Sequence, residues 1–571
     1  MRNSKLYALA LAVALLTLPV APPRAQQARK ATAAATKAAV PSAAFAAARK
    51  DAEEITAAKM KEVLYYISSD AMAGRDTPSE GLDKTAEYIA DRLAKLKLKP
   101  AGDNGTYFQN IELLKTEVDR AQTRAELSGR TFSFGTDFFP AGTSSGEAEG
   151  QLVYVGHGWV VKSKNVNAYE GLDVKDKIMV VSRVGNMPPG MTARDMKALP
   201  AGDWEDPDSY ARRNGAKGIV YVPANYERVM RSSSSMNTRP SYRVARFVDE
   251  AAGEGATKAP AAPAPVSIYP TATMLDALFA GEAATGAEVL RKTKEGAPPK
   301  GFALSPGKRL RLSVSMKADT ATTRNVVAVL EGRDKDLKKE YVAVGAHYDH
   351  VGVGRADARG DTIYNGADDD GSGTTAILAM AEAFAKGKRP RRSILFVWHT
   401  GEEKGLWGSE YFTKYPTVPL EAIVAQLNID MIGRSRAPGD TKPANAMLSG
   451  PDEIYVIGSK MMSTELASWS EGVNGAYLNL KFNYHYDDPA DTERLFYRSD
   501  HYNYAKMGIP IIFYFDGIHE DYHKPSDTAD KIDYQKMEKV TRTIFILASE
   551  IANNQRRPVV DKRLSSDRLG R

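Results

Sequence analysis

The chain has 571 residues, more than one compact core normally holds, so two or more domains are expected. Apolar residues make up 43% and charged residues 26%, and a formal charge of +6 over this length, with no aromatic-basic stripe, argues against nucleic-acid binding. Cysteine is absent, which excludes disulfides, thiolate metal sites and thiol nucleophiles together.

Arg2 and Lys5 precede an apolar run from Leu6 to Val20, followed by Pro22, Pro23 and small residues. Residues 1–25 read as a secretory signal peptide, the run being short for a membrane span. A secreted or periplasmic location follows, with no stable membrane insertion once the signal is removed. Residues 26–54 form an Ala/Lys-rich linker, read as a tether with a weak exposed helix as the alternative. Over 55–145 the signals are helical, then mixed. Asp83 stands as a cap, and Ala86, Ile89, Leu93 and Leu96 recur at helical spacing, so this segment packs on a core supplied later in the chain.

A strand-rich insert is expected over 146–305. Its "LVYVGHG", "DKIMVVSRV" and "GAKGIVYVPA" are short β-branched runs, and "RSSSSMNTRPSYR" (231–243) and "ATKAPAAPAPV" have loop compositions. From 306 to 555 strand and helix alternate through "NVVAVLEG", "EYVAVGAHYD", a helix from Thr374, "SILFVWHTGEE", "AIVAQLNIDMIG" and "IPIIFYFDG". Continuous apolar strands between helices predict an α/β fold with a mainly parallel sheet covered on both faces. The polar tail 556–571 is expected to be disordered.

Polar residues gather where these strands end, the edge at which open α/β sheets bind ligands. His347 and Asp349 lie two apart, on one side of an extended chain. Asp369 stands within "GADDDGSG", Glu402 and Glu403 end "HTGEE", Asp430 ends "NID", and Tyr522 and His523 stand in "DYHKP". Histidines and carboxylates without sulfur suit zinc or a similar divalent metal. Two divalent cations would be neutralised by Asp369, Asp430, Glu403 and one hydroxide. The run Asp368, Asp369, Asp370 then has an explanation: Asp369 bridges two metals while its neighbours cap the helix and hold backbone groups.

The blocks "VGAHYDHVG", "GADDDGSGTTAILAMAEAF", "EEKGLWGSEYF", "NIDMIGR", "RSDHYNYAKMGIPIIFYFDG" and "YHKPSDTADKID" together resemble metallopeptidase family 28, the secreted aminopeptidases with two co-catalytic zinc ions. The resemblance extends to the N-terminal "DAMAGRDTPSEGLDKTAEYIADRLAKL". It implies a zinc-exopeptidase-like mixed, mainly parallel sheet between helices, and the middle block resembles a protease-associated domain. Position by position, it implies two Zn2+ per chain, one held by His347, Asp369 and Asp430 and the other by Asp369, Glu403 and His523. Asp349 would orient the His347 imidazole. Glu402 matches the general base, and Tyr522 a tyrosine that polarises the scissile carbonyl.

His350, His399, His485, His501 and His519 fit no ligand position and read as pocket or packing residues, with Asp500 and His501 of "RSDHY" expected to line the substrate pocket. The substrates implied are peptide or protein N-termini. A carboxypeptidase or dipeptidase of the same family, a glutaminyl-cyclase-like transferase with one zinc, and a non-catalytic peptide-binding receptor are the alternatives. The oligomeric state is left open.

Overall fold

β-branched runs bounded by glycine and charge form strands in two main sheets, and a long two-stranded ladder carries the chain from one sheet to the other. The computed structural model describes residues 43–236, 239–255, 265–562 and 564. The stretch read as a signal peptide, the first part of the linker, and most of "ATKAPAAPAPV" lie outside the described residues.

Helix α1 (Ala57–Ile67) is capped by Thr56, which accepts from the Lys59 N–H, and α2 (Glu80–Lys95) by Ser79, which accepts from Leu82 N–H at 3.1 Å. Ser79, not Asp83, is therefore the cap. Asp83 lies in the first helical turn and pairs with Arg324 at 2.7 Å. Strand β1 (Phe108–Val118) follows. In the middle region come β2 (Gly146–Tyr154), β3 (Ile178–Arg183), β4 (Gly218–Pro223), β5 (Ser241–Val244), β6 (Val266–Pro270) and β7 (Arg309–Val314). The last part holds β8 (Met316–Leu330), β9 (Tyr341–His347), α3 (Gly373–Lys386), β10 (Ser393–His399), β11 (Ile423–Ile429), β12 (Glu453–Ile457), β13 (Lys481–Asn483), β14 (Ile511–Phe515) and α4 (Tyr534–Asn553).

The larger sheet runs β5-β1-β8-β10-β9-β11-β14-β12-β13. Its centre, β10-β9-β11-β14, is parallel, while the pairs flanking that run are antiparallel, so the sheet is mixed. Strands β9, β10 and β11 are buried almost throughout, as strands covered on both faces must be. One face packs on α1, α2, α3 and α4 through residues such as Leu64, Ile89, Ile377 and Ile544, and the other packs on a cluster that includes Phe412 and Phe496. The α/β class expected from the alternation is the class observed.

The second sheet contains β7, β2, β3, β4 and β6 with shorter strands at both ends, and its run β2-β3-β4-β6 is parallel. Its strands Arg124–Leu127 and Arg309–Val314 fall on either side of 146–305. Helices Pro207–Asn214, Ala272–Phe279 and Gly286–Lys294 pack on it, giving a β-rich block α/β character. Two local expectations fail here. Tyr226–Met236 is helical across a serine run taken as loop, with no glycine or proline inside it to stop the helix, and β5 returns to pair with β1 of the larger sheet.

The linker and tail also differ from expectation. Ala43–Asp51 is a helix whose Phe45 and Ala48, three apart and therefore on one face, join the main core. The tail is tied down as far as Lys562: Arg556 and the Val559 N–H both contact Glu465, and Lys562 N–H donates to the Met462 carbonyl. Charged side chains that read as solvated from composition have fixed partners supplied by distant segments. No helix among the described residues is long and apolar enough to cross a membrane.

Phe45 is 5% exposed. Phe45→Ala is expected to destabilise the protein by about 3 kcal/mol, the lower end for truncating a buried phenylalanine, read as a fall in the urea midpoint. A shift worth less than about 0.5 kcal/mol would mean that the segment is a tether after all.

Candidate metal centre

The parallel run brings the carboxyl ends of β9, β10, β11 and β14 to one edge. His347 closes β9, Glu402 and Glu403 follow β10, Asp430 follows β11, and the loop after β14 carries Tyr522 and His523. Asp369 arrives from the turn that opens α3. Helix-dipole and capping arguments alone would place one acid there, whereas three acids are buried side by side.

Their partners divide the three roles. Asp370 accepts from the N–H groups of Gly373, Met431 and His347 at 2.9, 3.1 and 3.1 Å, so it caps α3 and joins β9 to β11. Asp368 accepts from Gly433 N–H at 2.7 Å and faces His519 at 3.2 Å. Asp369 alone points both oxygens at ligand-type atoms. Its Oδ1 is 3.3 Å from His347 Nε2, and its Oδ2 is 3.0 Å from His523 Nε2.

Two groups result, His347 with Asp369 and Asp430, and His523 with Asp369, Glu403 and His350; within each group one atom per residue lies within 4.8 Å of all the others. His347 Nε2 is 3.7 Å from Asp430 Oδ1, and His523 Nε2 is 3.1 Å from Glu403 Oε1. Ligands held about 2.0 to 2.1 Å from a tetrahedral zinc lie about 3.3 to 3.4 Å apart, close to these separations. Asp369 Oδ2, Glu403 Oε1 and His523 Nε2 are buried without any partner in hydrogen-bond geometry. Converging nitrogen and oxygen lone pairs of that kind fit a divalent cation.

His350 is the residue that sequence reasoning left out. Its Nδ1 lies 2.9 Å from Glu403 Oε1 and 3.6 Å from Asp369 Oδ2, and its own ring nitrogens are otherwise orphaned. The signal available was its place three residues after His347 in "HYDH". Asp349 sits at 3.6 Å from His347 Nδ1 through its carboxylate, while its main-chain carbonyl is nearer, at 3.1 Å; the carboxylate accepts from Glu402 N–H. It thus ties Glu402 to the strand that carries His347. Ser499 donates to Asp430 at 2.6 Å and is itself held by Asn428.

Asp500 and His501, expected to line the substrate pocket, are fully buried behind it. Asp500 faces His399 at 3.4 Å, and His501 stacks on Phe513. The residue of "RSDHY" that reaches the cavity is Arg498. Asp527, also unforeseen, accepts from the N–H groups of Asp368 and Asp369. His485 is exposed, and His519 is buried beside Asp368 and Arg434.

Burial pushes the Glu402 carboxyl well up, with Glu403 and Asp430 adding to it and His347 opposing. Asp369 goes the other way: burial opposes its charge, but His347 and His523 hold it well below the usual carboxylate range. His523 is held up to about 10, against burial, by Asp369 and Glu403. The Tyr522 phenol is pushed well up by burial and by Asp369 and Glu403, so it remains a hydrogen-bond donor. Paired carboxylates with opposite shifts separate an ionised ligand from a proton carrier.

The N-terminal segment reaches this edge through Arg75, which is 1% exposed. Its guanidinium donates to four carbonyls, those of Ile67, Tyr348, Asn365 and Gly366, at 2.7 to 2.9 Å. Two of these carbonyls immediately precede Asp349 and Ala367, so one side chain fixes both acid-bearing loops.

Two groups of histidine and carboxylate sharing one aspartate, at the carboxyl edge of a mixed α/β sheet, define a centre suited to divalent metal. Residues 325–548 match the sequence model of Peptidase family M28. A probable leucine aminopeptidase of Arthroderma otae is 28% identical over 238 residues, which is 40% of this chain and 57% of that protein. A probable zinc metalloprotease of Pyrenophora tritici-repentis is 31% identical over 182 residues, 31% of this chain and 41% of the relative. The alignments therefore span about half the length of these curated relatives. Among solved structures, an aminopeptidase from Aneurinibacillus sp. strain AM-1 aligns with 91% of this chain and 100% of its own at 16% identity and a TM-score of 0.48.

Replacing Arg75 by methionine leaves the buried carbonyls of Ile67, Tyr348 and Asn365 without a donor, while that of Gly366 keeps the Gly371 N–H. The expected cost is about 3 to 5 kcal/mol in urea unfolding; a loss below about 1 kcal/mol would show that the carbonyls find other partners. Because Asp369 serves both groups, Asp369→Asn should lower bound metal more than Asp430→Asn does, as measured by elemental analysis after dialysis. Equal losses would contradict a shared ligand.

Proposed function

We propose that this protein is an exported zinc metallopeptidase that removes N-terminal residues from peptides, with two Zn2+ per chain. The observation that carries the reading is the pair of ligand groups joined at Asp369, with Glu402 beside them. One zinc is assigned to His347, Asp369 and Asp430, the other to Asp369, Glu403 and His523, with His350 beside Glu403 in the second group. When bound, zinc supplies a Lewis acid that polarises a carbonyl and lowers the pKa of water.

The protein's own groups have separate tasks. Glu402 Oε2 stands 3.9 Å from His347 Nε2 and belongs to neither ligand group, so it is free to take a proton from the attacking water and deliver it to the leaving amine. Tyr522 lines the same cavity, and its phenol is the donor for the developing oxyanion. Leu495, Phe513, Phe515 and Ile518 form an apolar wall suited to an uncharged side chain, in keeping with relatives named leucine aminopeptidase. The three filled carboxylate positions favour two metals over the single zinc of a cyclase-like transferase, and the retained Glu402 favours an enzyme over a receptor. We read the second sheet as a protease-associated-like insert and residues 1–25 as the export signal.

The test uses aminoacyl-anilides with free and acetylated amines, with zinc counted in the same sample. Turnover confined to free amines, with about two zincs per chain, is the expected result; cleavage of blocked substrates or a single zinc would overturn it. Glu402→Gln should reduce kcat by about 10²- to 10⁴-fold at unchanged zinc content. Tyr522→Phe should reduce it by about 10²- to 10³-fold with little change in KM, a loss that unchanged kcat would contradict.

A further inference from the structure

Arg498 lines the cavity beside Glu402 and Tyr522 and is exposed. Most of the other arginines near this edge are committed: Arg75 to four carbonyls, Arg434 to Asp521, Arg324 to Asp83. The Arg498 guanidinium, by contrast, has no carboxylate within 4.0 Å and makes no side-chain hydrogen bond or ring contact among the described residues. Asp369, Glu402 and Asp430 line the same cavity, so carboxylates were at hand and the fold pairs none of them with it.

Its main chain is nevertheless fixed. The Arg498 N–H donates to the Leu495 carbonyl at 3.1 Å. Ser499, the next residue, is 1% exposed and holds Asp430, and Asp500 after it is completely buried. A fixed main chain with an uncommitted head group leaves the guanidinium available to a ligand, whose binding has the side chain but not the backbone to order.

The rest of the wall says which ligand. Leu495, Phe513 and Phe515 are at most 4% exposed and present apolar surface, which offers nothing to a charged group. A carboxylate entering this cavity meets three protein carboxylates and one arginine. With the N-terminal side chain on the apolar wall, the portion of substrate beyond the cleaved bond is the part left to bring a carboxylate to Arg498.

We propose that Arg498 is a carboxylate-reading residue of this site, and that the preferred substrates are dipeptides or tripeptides with a free C-terminus. The inference rests on the aminopeptidase reading and adds substrate length to it. Guanidinium and carboxylate match in planar, bidentate geometry, so amidation of the C-terminus removes both the charge and one acceptor oxygen. An acidic side chain next to the cleaved bond offers the same chemistry from another source, and the substrates below separate the two.

The experiment compares kcat/KM for Leu-Ala, Leu-Ala-amide and Leu-Glu-amide with zinc-replete wild type, Arg498→Ala and Arg498→Lys. Wild type is expected to favour Leu-Ala over Leu-Ala-amide by about ten- to a hundredfold, mainly in KM, with Leu-Glu-amide close to the amide. Arg498→Ala should erase the preference by lowering only Leu-Ala, and Arg498→Lys should restore part of it. A preference for Leu-Glu-amide over Leu-Ala would overturn the C-terminal assignment in favour of an acidic side chain. An equal loss on all three substrates, or an unchanged ratio in Arg498→Ala, would overturn carboxylate reading altogether. Calorimetric binding of Leu-Ala and Leu-Ala-amide to Glu402→Gln, with and without Arg498→Ala, scores recognition apart from turnover. If wild type hydrolyses nothing while that ratio still depends on Arg498, the aminopeptidase reading fails and the subsite stands.

Discussion

The constraint on which this structure turns is the repulsion among carboxylates buried at one sheet edge. Asp368, Asp369, Asp370 and Asp430 are each at most 7% exposed, and Glu402 and Glu403 crowd against them. Buried charges of one sign are tolerated only when each finds hydrogen bonds or a counter-charge. Asp370 is satisfied by main-chain N–H groups, Asp368 by the Gly433 N–H with its second oxygen facing His519, and Asp430 by Ser499, while Arg75 and Arg434 bring positive charge. Asp369 and Glu403 are left with oxygens directed at histidine nitrogens in no hydrogen-bond geometry. The remaining imbalance is the electrostatic argument for metal.

Much of the rest of the molecule maintains that arrangement. The parallel strands set the spacing of the acid-bearing loops because register fixes where each strand ends: His347 and His399 are partners across β9 and β10, so Glu402 and Glu403 begin three and four residues beyond the level of His347. The N-terminal segment, far away in sequence, contributes Arg75 to the two loops that flank the site. The second sheet is reached through the long β1/β8 ladder, and it sends back β5 to the edge of β1 and Arg239 to the Val353 carbonyl in the loop after His350. The middle region therefore touches the loops around the centre.

The polar residues of the site were legible from residue type and position at strand ends, and the resemblance to metallopeptidase family 28 sorted the ligands among them from Asp349, Glu402 and Tyr522. His347, Asp369, Glu403, Asp430 and His523 each follow an apolar run or open a helix, and each is brought to the common edge. His350 was not legible in the same way. Its neighbour already filled the expected position, and nothing in "HYDH" says that the chain bends so that the fourth residue faces Glu403 rather than the core. Arg498 is not legible as a site residue beside the acid and histidine of "RSDHY"; burial of Asp500 and His501 leaves Arg498 as the one that lines the cavity.

The sequence by itself determined the α/β class, the separation into two sheets, the absence of sulfur chemistry and the set of acids and histidines available to a metal, because each follows from periodicity or composition. Only the tertiary structure decided which atoms share a point in space. It aimed both Asp369 oxygens at histidine nitrogens of two groups, while Asp370 is taken up by main-chain donors of His347, Gly373 and Met431, and Asp368 by the Gly433 N–H and His519. It also left the Arg498 guanidinium without an ion pair or hydrogen bond among the described residues, in a cavity containing three carboxylates. Pairing of that kind depends on distances between segments remote in the chain, which local pattern does not encode.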